Sequence, residues 1–325
     1  MFTDSEMTPP AASALVAAID LGTNAFRLLI ADVAANGRVR HRLVQRAIPR
    51  LGEGVGRTGR LNPDAVERAL ESLREFRSVV HRYEVEAVVA AATSAVREAE
   101  NAADFLGRVK DEIGFDVEVI SGEEEARRTW LGVQAGFSDR RQRATEAFVL
   151  DIGGGSTEII RIRDGEFDRA ISLDLGVVKL SEQCLRHDPP LDVERREMDA
   201  AIRDALGEAA RLRDGAGSGT LIGTAGTVTT AAALYLKLTA YDAARLHETV
   251  VPRPAVEEIE ATLARMTAAE RRRLPTLERG REDVVVAGLA ILRLAMDTFG
   301  AESVQVSEYG LREGLLVDWA HRCLR

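Results

Sequence analysis

Short apolar runs broken by polar, glycine-containing turns open the chain. Residues 15–19 are apolar, Asp20-Leu21-Gly22-Thr23-Asn24 follows, and a second apolar run occupies 26–30. Two runs of this length around a glycine turn read as strand, turn, strand. Residues 32–37 read as a further turn and 38–45 as a third strand of the same meander. Asn62-Pro63-Asp64 then supplies a cap with proline in the first turn. Val66, Ala69, Leu70, Leu73, Phe76, Val79 and Val80 recur at helical spacing after it, which predicts a long helix.

Residues 85–92 form a nearly continuous apolar run, and 116–120 a shorter one before Ser121-Gly122. Both are expected in the interior of a parallel sheet. An arginine-rich loop, expected to be exposed, spans 138–145. Ala147-Phe148-Val149-Leu150 then runs into Asp151-Ile152-Gly153-Gly154-Gly155-Ser156-Thr157-Glu158 and on to Ile159-Ile160-Arg161-Ile162. The opening pattern has returned. The two Asp-x-Gly turns stand 131 positions apart, which a duplicated α/β unit explains better than chance. A third turn, Gly223-Thr224-Ala225-Gly226-Thr227, follows Leu221-Ile222 and opens an alanine-rich helical stretch.

At 325 residues the chain exceeds what one core usually sustains, so two domains are expected. Its hydrophobic fraction of 46% and charged fraction of 29%, with no apolar run of membrane-spanning length, suit a protein that stays in water, away from membranes. Residues 1–13 lack the pattern of a secretory signal and read as a disordered tail, so a cytoplasmic location is expected. Cys184 and Cys323 fit no metal-ligand spacing and are expected to be free thiols. The five histidines form no ligand pair at helical spacing, so neither zinc nor a serine triad is suggested. A net charge of −9 argues against nucleic acid as a partner. Only Lys110, Lys179 and Lys237 among the 43 basic residues are lysine; arginine suits bidentate phosphate recognition, although genomic base composition explains the bias as well.

Glycines at a strand end let the backbone approach an anion, and successive N–H groups with Ser or Thr hydroxyls can cradle phosphate oxygens. Three such turns suit a polyanionic ligand, although any one alone could be an ordinary hairpin or a flexible link. No Gly-x-Gly-x-x-Gly follows a strand and no Gly-Lys pair completes a P-loop, which removes the two common nucleotide readings. What remains is the order of the turns, two alike and then Gly-Thr-Ala-Gly-Thr. That is the actin-like order, in which two similar lobes clamp phosphates across a cleft.

The resemblance becomes specific in seven segments: residues 17–30, Arg50-Leu51-Gly52-Glu53-Gly54, Ala92-Thr93-Ser94-Ala95-Val96-Arg97, Ser121-Gly122-Glu123-Glu124-Glu125-Ala126, the turn at 151–158, residues 223–230, and Ser307-Glu308-Tyr309-Gly310-Leu311-Arg312-Glu313-Gly314. Together they resemble the exopolyphosphatase/guanosine pentaphosphatase (Ppx/GppA) family over nearly the whole chain. The short, two-domain actinobacterial members are the most similar, because little follows the last motif. Arg281-Glu282-Asp283 departs from the pattern, in which alanine more often separates the arginine from the aspartate.

The resemblance implies an α/β, actin-like (ribonuclease H-like) duplicated fold. Lobe one spans 14–125 with a helix from the C-terminal segment 309–325 returning to it, lobe two spans 126–308, and the site lies between them. It implies hydrolysis of the terminal phosphoanhydride of inorganic polyphosphate by water, assisted by Mg²⁺ or Mn²⁺. Glu125 is then the general base, Glu158 helps place the water, and Asp151 with Glu158 binds the metal. Glu123, Glu124 and Glu125 are consecutive, and the run alone does not select one. Thr23, Asn24, Gly153, Gly154, Ser156 and Thr157 are the phosphate-cradle candidates. Arg27, Arg97 and Arg281 would supply charge-assisted bonds. Gly223, Thr224, Gly226 and Thr227 are candidates for a third, nucleotide-facing turn.

Arg27 stands within an apolar strand, where burying an arginine is costly without a role; Arg97, near Glu98 and Glu100, could equally face solvent. Asp20 and Asp283 receive no catalytic step. Arg127-Arg128, Arg140-Arg141 and Arg271-Arg272-Arg273 could guide a long polyanion or form solvated faces. The same site could instead remove the 5′ γ-phosphate of guanosine pentaphosphate, or act as a sensor of polyphosphate or nucleotide without catalysis. A kinase or chaperone-like ATPase shares the superfold, but the Glu125 and Arg312-Glu313-Gly314 motifs tell against it. The resemblance alone suggests a homodimer.

Overall fold

A computed structural model describes residues 13–137, 146–213 and 220–324. The tail at 1–12 and the loop at 138–145, with its Arg140-Arg141 pair, lie outside the described residues. Ser13, read above as the end of the tail, instead opens a strand.

The first sheet contains β1 (Ser13–Leu21), β2 (Phe26–Ala34), β3 (Val39–Ala47), β4 (Ala87–Ala92) and β5 (Val117–Val119), in the order β3-β2-β1-β4-β5. β1 to β3 form an antiparallel meander, and β1, β4 and β5 run parallel. The turn expected at 32–37 is shorter, because β2 carries Asp32 within the strand, where it accepts a hydrogen bond of 2.6 Å from Arg42. β5 is not interior as expected. It is a three-residue edge strand whose Glu118 and Val119 are exposed. Its apolar run is too short, and too charged at Glu118, to be covered on both faces.

Asn62 caps the helix Pro63–Tyr83 by accepting from the Asp64 N–H at 2.8 Å. The apolar stripe from Val66 to Val80 faces the first sheet, whose core also holds Ile19, Phe26, Leu28 and Phe105.

The second sheet repeats the plan. It contains β6 (Glu146–Ile152), β7 (Thr157–Arg163), β8 (Glu166–Leu173), β9 (Thr220–Thr224), β10 (Val250–Pro252) and β11 (Ser303–Val306), in the order β8-β7-β6-β9-β11-β10. Again a three-stranded antiparallel meander is followed by parallel strands, with β10 added antiparallel at the edge. Two copies of one α/β topology, each with its own core, make this the actin-like two-lobed fold.

Two helices tie the lobes together. The helix Gly122–Gly136 packs Ala126, Trp130 and Val133 on the second sheet, while Leu131 and Ala135 join the cluster on the first. The helix Leu311–Cys323 returns to the first sheet, burying Leu315 and Leu316 against Val16, Ala18 and Leu29. The two helices touch backbone to backbone: a Cβ on Gly314 would lie 1.7 Å from the Arg128 carbonyl oxygen, and one on Gly132 would lie 1.8 Å from that of Gly310. Across the cleft mouth, Arg50 bonds Asp283 at 2.5 Å, Lys179 bonds Glu98 at 2.6 Å, and Glu182 accepts from the Gly54 N–H at 3.1 Å.

Of the described arginines considered as a polyanion track, Arg127, Arg128, Arg271 and Arg272 are engaged elsewhere. Arg128 is buried and bonded to Glu118 and Glu124, and Arg127 to Glu124 and Asp318. Arg271 is buried against Asp188 and the Glu282 carbonyl, and Arg272 bonds the Glu282 carboxylate. That carboxylate also accepts from the Gly280 N–H at 2.5 Å, so the unusual Glu282 shapes the loop that leads into Arg281. No described helix is long and apolar enough to cross a membrane.

Candidate active site

Both sheets end at the cleft in matching rows of cross-strand neighbours. In the first lobe the row is Arg46, Arg27 and Asp20, on β3, β2 and β1. In the second it is Ser172, Glu158, Asp151 and Thr224, on β8, β7, β6 and β9. Directly opposed residues on one sheet face lie within reach of one another, so each row is a chemical unit that strand register assembles.

The two glycine turns close the cleft floor. Gly22 and Gly153 play the same part in the two copies, since a Cβ would lie 2.8 Å from the Ala25 carbonyl oxygen in one turn and 2.9 Å from that of Ser156 in the other. The turns face each other. A Cβ on Gly154 would stand 2.8 Å from Thr23 Cβ and 2.9 Å from the Asn24 nitrogen, and one on Gly155 would meet the hydroxyls of Ser94 and Thr23. Thr23, Asn24, Gly153, Gly154 and Ser156 therefore line one cavity. Asn24 is only 6% exposed, and neither its amide oxygen nor its amide nitrogen has a hydrogen-bond partner. A buried amide left so is expensive, and a ligand with donor and acceptor capacity would complete it.

Of the three consecutive glutamates only Glu125 enters the cavity. Ser121 caps this helix by accepting from the Glu124 N–H at 3.1 Å; Glu123 then faces solvent and Glu124 is held by Arg127 and Arg128. Glu125 is buried 3.2 Å from Arg97, whose guanidinium also donates to the Ile120 carbonyl at 2.8 Å. Glu158 is fully buried. One oxygen accepts from Ser172 at 2.7 Å, and the other has no partner.

Burial pushes all these acids upward. Glu125 stands well above the usual carboxylate range, first from burial and then from the Glu158 charge, with Arg97 opposing. Glu158 is raised by burial and then by Asp151. Burial lifts Asp151 to about 6, against the pull of Arg27. Asp20 is raised by burial, with Arg27 and Arg312 opposing. In the same cavity, burial lowers the Arg27 guanidinium, and the charges of Arg281 and Arg312 lower it further. The cavity thus gathers both clustered carboxylates and clustered guanidiniums, which meet where Arg27 opposes Asp20.

The remaining candidates divide. Arg281 lines the cavity and bonds Glu278 at 2.8 Å; it lies flat over Gly226, where a Cβ would collide with the guanidinium. Thr224 lines the cavity, its hydroxyl donating to the Tyr309 carbonyl at 3.0 Å. Thr157 is fully buried and its hydroxyl donates to the Leu175 carbonyl, so it braces the turn from beneath. Gly223 makes room for Val228 and Val304, and Thr227 packs against Gly288; neither faces the cavity. Arg97 reaches the site through Glu125 without lining the cavity itself. Arg46, Tyr241 and Glu278 also line it and were not singled out from the sequence; Arg312, read there only as part of the Arg312-Glu313-Gly314 motif, lines it too. Ala225, in the third turn, holds a left-handed backbone at φ 66°, the kind of local strain that gathers at functional turns.

Among the described residues, no three His, Cys, Asp or Glu side chains converge as a ready-made metal cage. The donor chemistry nevertheless fits a hard divalent cation shared with a phosphate ligand. Asp151 and Glu158 are cross-strand neighbours, one Glu158 oxygen is buried without a partner, and the clustered carboxylates raise one another. A cation there would relieve that repulsion.

Paired glycine turns between two copies of one α/β unit, with buried carboxylates and arginines lining one cavity, define a protein of the actin-like class. Residues 30–323 match the Ppx/GppA phosphatase family, and the chain belongs to it. Exopolyphosphatase 2 of Mycobacterium tuberculosis is 35% identical over 317 residues, covering 94% of this chain and 98% of that protein. The crystal structure of the Aquifex aeolicus Ppx/GppA family member is 33% identical, with a TM-score of 0.78 over 96% of this chain and 99% of that one. An exopolyphosphatase structure from Cytophaga hutchinsonii is 28% identical, with a TM-score of 0.84 over 94% of this chain and 97% of that one.

Proposed function

We propose that this chain is an exopolyphosphatase, a phosphoanhydride hydrolase that removes the terminal phosphate of inorganic polyphosphate. The observation that carries the reading is the facing pair of turns, Thr23-Asn24 against Gly153-Gly154, with Glu125 buried in the same cavity. The turns hold the terminal phosphate by N–H and hydroxyl donors while the arginines that line the same cavity take the rest of the chain. Glu125 accepts a proton from water as its oxygen bonds to the terminal phosphorus. The bridging P–O bond breaks, orthophosphate leaves, and the shortened chain keeps the bridging oxygen. Arg97 fixes Glu125 from behind, and Ser172 fixes Glu158, which orients the water. Mg²⁺ or Mn²⁺ held by Asp151 and Glu158 would neutralise charge on the transferred oxygens when bound.

We place the division between lobes within the helix Gly122–Gly136, whose two faces serve different sheets. A reducing cytoplasm suits the two free cysteines, Cys184 and Cys323.

The test is phosphate release by the purified protein with Mg²⁺ from short polyphosphate, long polyphosphate, guanosine pentaphosphate and ATP. Release from polyphosphate is expected to fall by about 10²–10⁴ in Glu125→Gln, the range a general base supplies. Preferred release from guanosine pentaphosphate would replace this reading with the nucleotide one. Binding without release from any of the four would make the protein a sensor.

A further inference from the structure

Among the arginines that line the cavity, one buried guanidinium nitrogen is left without a hydrogen bond. Arg27 comes from β2, Arg281 from the loop before the helix Val285–Phe299, and Arg312 from the first turn of the helix Leu311–Cys323. All three line the cavity. Arg281 shares its charge with Glu278 at 2.8 Å, and Arg27 faces Asp20 across the strand pair. Arg312 is only 8% exposed, and its Nη1 is buried without a hydrogen-bond partner. A buried guanidinium with an unused N–H is costly unless an anion takes it up.

Arg312 is also held from behind. Its Nη2 lies 3.4 Å from the Glu313 carboxylate and 3.5 Å from the Glu308 carbonyl oxygen. Glu313 is fully buried; it accepts from the Gly310 N–H at 2.9 Å and lies 3.3 Å from His41 Nε2. His41 in turn packs on the Tyr309 ring with centroids 4.9 Å apart. A buried carboxylate under a guanidinium limits the directions the guanidinium can take and leaves its far nitrogen for a ligand.

We propose that Arg312 is a substrate-binding residue that takes a phosphate oxygen of the polyanion through Nη1, with Glu313 and His41 as the positioning residues that aim it. This rests on the polyphosphate reading of the cavity. A linear chain with its terminal phosphate in the glycine turns needs its following phosphates neutralised, and Arg27, Arg281 and Arg312 are cations that line the same cavity. Arg312 then acts beside Arg27 and Arg281 on phosphates beyond the one that is cut.

The test is steady-state hydrolysis of tripolyphosphate and calorimetric binding of tripolyphosphate to the full chain, for the wild type, Arg312→Gln, Arg312→Lys, Glu313→Gln and the Arg312→Gln/Glu313→Gln double variant. Arg312→Gln is expected to raise KM and Kd tenfold or more (of the order a lost charge-assisted bond gives, about 1.5–3 kcal/mol) with kcat changed much less. Arg312→Lys recovers part of the loss, because it keeps the charge without the fork. Glu313→Gln raises KM less, and the double variant is no worse than Arg312→Gln alone, as expected where Glu313 acts through Arg312. A folded Arg312→Gln with unchanged KM and Kd overturns the proposal, and additive effects overturn the positioning role. If Arg312→Gln does not fold, Arg312→Lys decides: KM raised about threefold or more supports the proposal, and unchanged KM overturns it. Wild-type protein that neither binds nor hydrolyses tripolyphosphate would instead remove the polyphosphate reading itself.

Discussion

Gly154 lies against Thr23 so closely that the second lobe's glycine turn has no room for a side chain: a Cβ there would be 2.8 Å from Thr23 Cβ and 2.9 Å from the Asn24 backbone nitrogen. The contact fixes the spacing of the two glycine turns, because backbone on one side and a buried threonine on the other cannot swing away. Gly154→Ala should push the turns apart by a fraction of an ångström to an ångström. The expected outcome is a fall in kcat/KM of about 100-fold with the fold retained, since misplacement on that scale is enough to disrupt a reacting geometry. Kinetics together with a near-unchanged circular dichroism spectrum check it; wild-type kinetics would mean the spacing is not set here.

Asn24 gives a prediction of opposite sign for stability and for function. Its amide is buried with neither end bonded, so the folded protein carries a desolvation cost that ligand binding would repay. Asn24→Ala should raise stability by about 1 kcal/mol in urea unfolding while weakening tripolyphosphate binding about tenfold. A loss of stability would show that Asn24 supports the turn and is not reserved for a ligand.

The fully buried Glu313 makes stability depend on acid. Burial alone would raise its carboxyl, but Arg312, His41 and the Gly310 N–H outweigh that and hold it at about 2. A carboxyl depressed in the folded state adds stability above its unfolded value of about 4.5, and that stability is lost as pH falls towards the folded value. The full contribution is on the order of 3 kcal/mol, of which about 2 kcal/mol goes between about pH 5 and about pH 3. Urea unfolding across that window should show a smaller loss in Glu313→Gln than in the wild type; equal slopes would show that the shift is not present.

Two glycines in helices should respond in opposite directions to alanine. A Cβ on Gly314 would sit 1.7 Å from the Arg128 carbonyl oxygen, so the helices Gly122–Gly136 and Leu311–Cys323 would have to separate. Gly314→Ala should cost about 3 kcal/mol or more, or leave the chain insoluble. Gly207, on the helix Asp192–Ala209, meets nothing within 4 Å. Gly207→Ala should add about 0.5–1 kcal/mol from helix propensity alone. Unfolding midpoints measured side by side decide both.

The strands, the long capped helix and the repeated Asp-x-Gly turn were legible in the sequence because each is written in consecutive residues or at one fixed period. Arg46 and Ser172 were not. Nothing local marks them, and they reach the site only because strand register sets them beside Arg27 and Glu158. Glu125 could not be told from Glu123 and Glu124 until helix phase turned one of the three inward. Thr157 was a candidate for the phosphate cradle, and Gly223 and Thr227 for a third, nucleotide-facing turn, because they are small or hydroxylic at a turn; in the fold Thr157 braces its turn from beneath and the other two pack theirs. β5 was misread as interior because an apolar run does not record how many neighbours a strand will have.

The register of the two hairpins carries one more consequence. Asp20 opposes Arg27 in the first copy, and Asp151 opposes Glu158 in the second, at the same offset along the repeat. Two identical copies would present a linear polyanion with a cleft that reads the same from either direction. A reversal of charge at this one offset removes the equivalence, so the two sides of the cleft differ, and because the two ends of such a chain are interchangeable either of them can take the same place in it.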